Sequence, residues 1–209
     1  MPKILRLEAS KHIKGRVLVF FEDAELVKLT ENEVLLYRLH AGKELSPSEY
    51  EELTAQARLS SAKHRAAQII SRTLVSRAEL TRRLREKGER PEDCEAAAQW
   101  LEELGFLDDA RCAVTVARHY AQKGYGRKKI ESELFRRSIP RSLWAQAMEG
   151  LEEPGEEIDR LIARKLRGKA PDAKELARVQ GFLLRRGFDW QQVKEALARY
   201  GAAEDAFDE

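Results

Sequence analysis

The chain has two cysteines, Cys94 and Cys112, in 209 residues. That count excludes a disulfide framework and fits a reducing compartment. No apolar run approaches the roughly 20 residues that cross a bilayer. The opening stretch MPKILRLEASK lacks the apolar core of a signal peptide. The expectation is a cytoplasmic, soluble protein with no membrane contact. Aromatic residues make up only 7% of the chain, which argues against an all-β fold. Catalytic patterns are missing too. There is no HExxH, no CxxC and no GxxxxGK[ST], and His12, His40, His64 and His119 show no metal-ligand spacing. No enzyme, cofactor or metal site is expected.

Charge is abundant and nearly balanced. Asp, Glu, Lys and Arg supply 35% of residues, with 38 basic against 36 acidic. The distribution is uneven. Residues 111–141 hold nine basic residues against two acids, Glu131 and Glu133. A local field of that sign points to an anionic partner, either nucleic acid or an acidic protein surface.

Along the chain, short β-like runs come first: Ile4–Leu7, Arg16–Phe21 and Leu26–Leu29, read as a small meander. Helix signals follow. Thr30 to Glu33 and Ser46 to Glu49 form capping boxes. The first is expected to open a helix through EVLLYRLH that Gly42 closes, and the second to open a separate helix with Pro47 at its first position. Ser76 and Asp172 are further N-caps. Gly88, Gly105, Gly124, Gly168 and Gly187 mark helix ends. The helices should run roughly 10 to 14 residues each.

One frame recurs: apolar, three residues, Leu, three residues, small residue. It reads Leu80–Leu84–Gly88, Ile130–Leu134–Ser138 and Val179–Leu183–Gly187. Each apolar pair lies one turn apart on one helix face. A helix precedes each frame and another follows it, with Cys94, Ala97 and Leu101, then Leu143 and Ala147, then Trp190, Val193 and Leu197 facing inward. The expected organisation is an N-terminal meander plus helices (1–60), three-helix repeats at 61–108, 109–153 (the basic one) and 154–201, and an acidic tail at 202–209. The fold class is mainly α, with tandem three-helix repeats and a small β-containing N-terminal region.

The stretch GYGRKKIESELFRRS (124–138) is the most informative. A dinucleotide fingerprint needs a preceding strand and a third glycine; the segment before it reads as helix and the third glycine is missing. Gly124 and Gly126 are therefore read as helix punctuation. On the helix that follows, Ile130 and Leu134 face the core. Arg127 pairs with Glu131, Lys129 with Glu133, and Glu133 with Arg137, all at four-residue spacing. Lys128, Ser132 and Arg136 form a stripe with no acid at helical neighbours. In the first repeat Glu79 pairs with Arg83 and Arg82 with Glu86. A helix-turn-helix base reader needs several base-matching side chains on one helix; the lysines and arginines here suit backbone contact instead. Asp108 and Asp109 read as a cap and a first-turn acid. The residues taken as candidates for partner or DNA binding are Arg82, Arg127, Lys128, Lys129, Arg136, Arg137 and Arg141.

The motifs SRAELTRRLREKG (76–88), LEELGFLDDARCA (101–113) and GYGRKKIESELFRRSIP (124–140) resemble the RecX family, regulators of the RecA recombinase. Ser76, Glu79, Leu80, Lys87, Gly88, Gly105, Leu107, Asp108, Asp109, Gly124, Gly126, Ile130, Glu133 and Leu134 occupy the family's pattern positions. Cys112 stands where an aromatic residue is common, and Arg137-Ser138 replaces a second Lys-Gly. The resemblance implies an elongated, curved array of tandem repeats. It also implies a monomer that binds RecA and its filament on single-stranded DNA and restrains filament growth, ATP hydrolysis, strand exchange and coprotease activity, hence a role in DNA repair, recombination and the SOS response. The alternative left open is a general nucleic-acid-binding protein acting without RecA, with weak direct DNA binding.

Overall fold

The computed structural model describes residues 1–11, 13–23, 25–151, 154–166 and 172–200. His12, Ala24, Gly168 and the acidic tail at 202–209 lie outside the described residues. The protein is mainly helical with a three-stranded sheet at the N-terminus. It forms two compact units, Met1–Leu107 and the chain from Asp108 on.

In the first unit, β1 (Ile4–Ala9), β2 (Arg16–Phe21) and β3 (Leu26–Thr30) make an antiparallel meander in the order β1-β2-β3. Leu7 pairs with Val19, and Val17 with Leu29. Alternation puts Ile4, Val19, Phe21, Val27 and Leu29 on the inner face, where Leu39, Leu45, Leu53 and Ala57 complete a core. The Thr30 box forms as the sequence predicts: the Thr30 hydroxyl accepts from the Glu33 N–H, and the Glu33 carboxylate accepts from the Thr30 N–H at 2.6 Å.

The helix it starts, α1 (Glu31–Leu36), stops well before Gly42. Arg38 takes a left-handed backbone, φ 47°, and the Leu39 N–H closes onto the Val34 carbonyl at 2.9 Å. That turn drives Leu39 into the core. The next helix also departs from expectation. α2 (Pro47–Ile70) is one continuous helix of 24 residues, not two. Leu53 and Ala57 pack on the sheet, while Ala62 and Ala66, about one and a half and two and a half turns beyond Ala57, belong to the next core. Serines at its middle are held in place: the Ser60 carbonyl accepts from Arg16 and the Ser61 hydroxyl donates to Glu89.

The second core joins α2 to α3 (Arg77–Glu86) and α4 (Pro91–Glu103) through Leu80, Leu84, Cys94, Ala97, Ala98 and Leu101. Small side chains at Ala62, Ala66, Ala97 and Ala98, all fully buried, let α2 and α4 approach closely. The thiols of Cys94 and Cys112 are both buried, and burial pushes the Cys94 thiol up.

The second unit repeats the pattern twice. α5 (Asp109–Gln122), α6 (Arg127–Arg136), a 3-10 turn (Arg141–Leu143) and α7 (Trp144–Met148) close on Cys112, Ala113, Val116, Ile130 and Leu134. α8 (Pro154–Leu166), α9 (Ala173–Arg185) and α10 (Trp190–Ala198) close on Ile158, Ile162, Val179, Leu183 and Val193. All six frame positions are buried: Leu80, Leu84, Ile130, Leu134, Val179 and Leu183. The small residue that ends each frame is left-handed, φ 86° at Gly88, 85° at Gly187 and 55° at Ser138. Asp108 caps α5 by accepting from the Arg111 N–H, as expected. Trp190 does not face inward: at the first position of α10 it overhangs the edge of the core, 40% exposed, with the Lys194 ammonium 5.2 Å from its ring centre.

Candidate functional site

The candidate surface is built on α6. Its N-cap, Gly126, offers no side chain to the free N–H groups of the first turn, which need acceptors. They find them at the end of α9. The Gly126 N–H donates to the Arg186 carbonyl at 2.9 Å and the Lys128 N–H to the Gly187 carbonyl at 3.0 Å. The negative end of one helix thus meets the positive end of another, a favourable dipole contact. Both glycines are required by closeness. A Cβ on Gly126 would lie 2.4 Å from the Gly187 oxygen, and one on Gly187 would lie 2.3 Å from the Lys129 nitrogen. Gly126 is therefore more than punctuation: it is where the second and third three-helix domains touch backbone to backbone.

Arg186 locks that junction. Its guanidinium donates to the carbonyls of Lys123 at 2.7 Å and Gly124 at 2.9 Å. It also stacks against Tyr125 at 4.9 Å and Phe182 at 5.0 Å. Lys128 reaches the Asp189 carboxylate at 3.1 Å. The Gln191 N–H, and secondarily Lys128, hold that carboxyl below the usual range. Sequence reasoning missed Arg186: its partners Lys123 and Gly124 lie more than sixty residues away, and no local spacing points to them.

The candidate residues fall in both units. Arg82 sits in the first unit on α3, paired with Glu86 at 2.6 Å. Arg127, Lys128 and Lys129 gather at the start of α6, and Arg127 pairs with Glu131 at 2.9 Å as predicted. Arg136 and Arg137 gather at its end. Arg141 follows in the 3-10 turn, exposed, with its guanidinium 5.6 Å from the Trp144 ring centre.

Two pairings differ from the sequence reading. Glu133 does not take Lys129; it accepts from Arg136, three residues on, and from Arg137, four residues on. Its carboxylate is 6% exposed, so two cations compensate one buried charge. The Arg136 hydrogen bonds come first among the causes that bring its pKa down from 4.5 to about 2, with Arg137 adding to them and burial opposing. The stripe expected to be without acids is also partnered, Arg136 by Glu133 and Lys128 by Asp189. Among the described residues, Lys129 makes no ion pair, and it is exposed. Beside the junction runs a cleft of about 640 Å³ whose lining includes Arg118, Tyr125, Arg127, Met148, Arg160 and Phe188.

Models of the second and third three-helix domains of RecX match residues 108–148 and 152–197. The regulatory protein RecX of Vibrio parahaemolyticus is 37% identical over 147 residues, 68% of this chain and 94% of its own length. The chain belongs to the RecX family. The RecX of Pseudomonas syringae is 35% identical over 141 residues, 65% of this chain and 89% of that protein. Two crystal structures share the fold. One, of regulatory protein RecX, is 20% identical with a TM-score of 0.69 and covers 95% of this chain and all of its own. The other, RecX from Lactobacillus salivarius, is 17% identical with a TM-score of 0.62 and covers 69% of this chain and 97% of its own. In RecX terms, the Gly126–Gly187 junction joins the second domain to the third, and the Glu133 fork belongs to the second. No helix among the described residues is long and apolar enough to cross a membrane.

Proposed function

We propose that this RecX-family chain is a non-enzymatic regulator of RecA. It works as a monomer in the cytoplasm, binding RecA and its filament on single-stranded DNA. There it restrains filament assembly, ATP hydrolysis, strand exchange and coprotease activity. The observation that carries the reading is the similarity, over 94% of its length, to a relative named for regulation. The second domain supports it with exposed cations on α6 and in the turn after it, suited to an acidic surface of the filament. The test titrates substoichiometric protein into RecA hydrolysing ATP on single-stranded DNA, with a pull-down in parallel. Falling turnover and co-purification are expected; unchanged turnover with no RecA captured overturns the reading.

A second reading is direct nucleic-acid binding without RecA, favoured by the nine basic residues against two acids in 111–141. The pairing of Lys128 and Arg136 with acids weakens it. Lys129 and Arg141 are the cleaner probes, because reversing Arg136 also disturbs the Glu133 fork. If Lys129→Glu with Arg141→Glu lowers RecA inhibition but leaves DNA affinity and its salt slope unchanged, these cations contact protein; the opposite pattern favours DNA.

A further inference from the structure

The last described residue, Tyr200, is pinned to α8. Arg199 donates to both carboxylate oxygens of Asp159, at 2.8 and 2.9 Å, and the Tyr200 hydroxyl donates to the Asp159 carbonyl at 3.4 Å. Asp159 directly precedes Arg160, which lines the cleft beside the Gly126–Gly187 junction. Residues 201–209, outside the described chain, read GAAEDAFDE. They hold four acids, no base and one aromatic residue, Phe207, between Asp205 and Asp208.

An acidic run is ordinarily solvated. The cleft gives this one a complementary surface. Three arginines line it, Arg118, Arg127 and Arg160, against one acid, Glu157. Arg118 is exposed and makes no ion pair among the described residues. Arg127 meets Glu131, and Arg160 meets Glu156 and Glu157, yet their side chains stay 70% and 63% exposed. Pairs that open to water hold weakly, and a guanidinium has five N–H donors, enough for a second carboxylate. Half-buried Tyr125, Met148 and Leu151 add apolar surface to the same cleft. Arginines around an apolar floor match an aromatic side chain flanked by acids. Reach is no obstacle. Gln192, also in the lining, is eight residues before Tyr200, about 12 Å at helical rise. Nine extended residues span about 30 Å.

We infer that residues 202–209 fold back in cis and occupy this cleft. Phe207 lies on the apolar floor, and Glu204, Asp205 and Asp208 face Arg118, Arg127 and Arg160. The tether to Asp159 holds the segment beside its site, so weak contacts suffice at the resulting effective concentration. An acidic partner reaching for the same arginines meets the cleft already filled. The inference goes beyond the proposed binding to RecA and does not depend on it.

The test places a nitroxide on Ala206→Cys in the full chain and records amide NMR spectra before and after the label is reduced. Cys94 and Cys112, 0% and 1% exposed, do not compete for the label. The amides of Gln122, Leu151 and Gln192 should lose signal. They should regain it at about 1 M salt, where the screening length is ~3 Å, and in a chain also carrying Arg118→Glu and Arg160→Glu. The salt arm needs no change to the cleft, so it stands even where the charge reversals disturb the fold. Full signal at these amides in the parent, or a loss that survives high salt, overturns the docking. Mixing spin-labelled protein with isotope-labelled parent distinguishes a second copy: signal loss in the parent's cleft would assign the site to another molecule's tail and overturn docking in cis.

Discussion

Replacing Gly126 by alanine adds one methyl group at the junction of the second and third domains. The backbone there, φ −77° and ψ 170°, is open to any residue, so no conformational strain arises. The methyl would, however, sit 2.4 Å from the Gly187 oxygen and 2.4 Å from the Phe188 nitrogen. Those are backbone atoms and cannot swing aside like a side-chain tip. The two segments must separate, and the bonds that span them go together: Gly126 to Arg186, Lys128 to Gly187, and the two donated by Arg186 to Lys123 and Gly124. At ~1 kcal/mol net for each bond, the junction loses about 4 kcal/mol. The opening equilibrium then shifts by roughly a thousandfold. Amide hydrogen exchange followed by mass spectrometry or NMR reads this directly at Lys128, whose N–H is buried in the junction bond. Gly155→Ala is the control, because its Cβ meets nothing within 4 Å. An exchange rate at Lys128 in Gly126→Ala equal to that of the parent would refute the close-approach reasoning.

Other outcomes follow from the same geometry. Ser138→Gly should stabilise the protein by about 0.5–1 kcal/mol in urea denaturation, because φ 55° is costly for a residue with a Cβ. Gly155→Ala, in the first turn of α8 with open space around the added methyl, should raise stability by less than the ~1 kcal/mol of a helix-interior exchange. Glu133 titrates at about 2 in the folded protein against an ordinary 4.5, so the unfolded chain takes up the proton more readily. Its contribution, on the order of 3 kcal/mol, is complete above pH ~4.5 and is lost as pH falls toward 2. Glu133→Gln should flatten the acid limb of a stability-against-pH curve; an unchanged limb refutes the fork's role.

The repeating core was legible because a leucine one turn after an apolar residue reports helix packing whatever the neighbours. The sheet was equally plain from runs such as Arg16–Phe21. Two helix ends were not. EVLLYRLH keeps helical character past Leu36, and only the need to bury Leu39 turns the chain at Arg38. The boundary expected at residue 60 falls inside α2, where Ser60 and Ser61 bond to Arg16 and Glu89 from other elements. At the candidate site, a count restricted to four-residue spacing gave Glu133 to Lys129 and missed Arg136 at three. Asp189, the partner of Lys128, lies in another domain, and no local pattern announces it. The Gly126–Gly187 approach was invisible for the same reason: in sequence, a glycine needed for closeness looks like a glycine needed for turning.

The continuous α2 has a bearing on modularity. A helix of 24 residues is about 36 Å long. Its first half is a wall of the sheet's core and its second half a wall of the first three-helix core. Cutting the gene at residue 60 would saw through that shared beam, so a truncated protein would lose stability in the part it was meant to keep. The strands and the first three-helix core share one helix and lie in one compact unit. Shuffling at this boundary is disfavoured, whereas the start of α5, capped by its own Asp108, offers a cleaner seam.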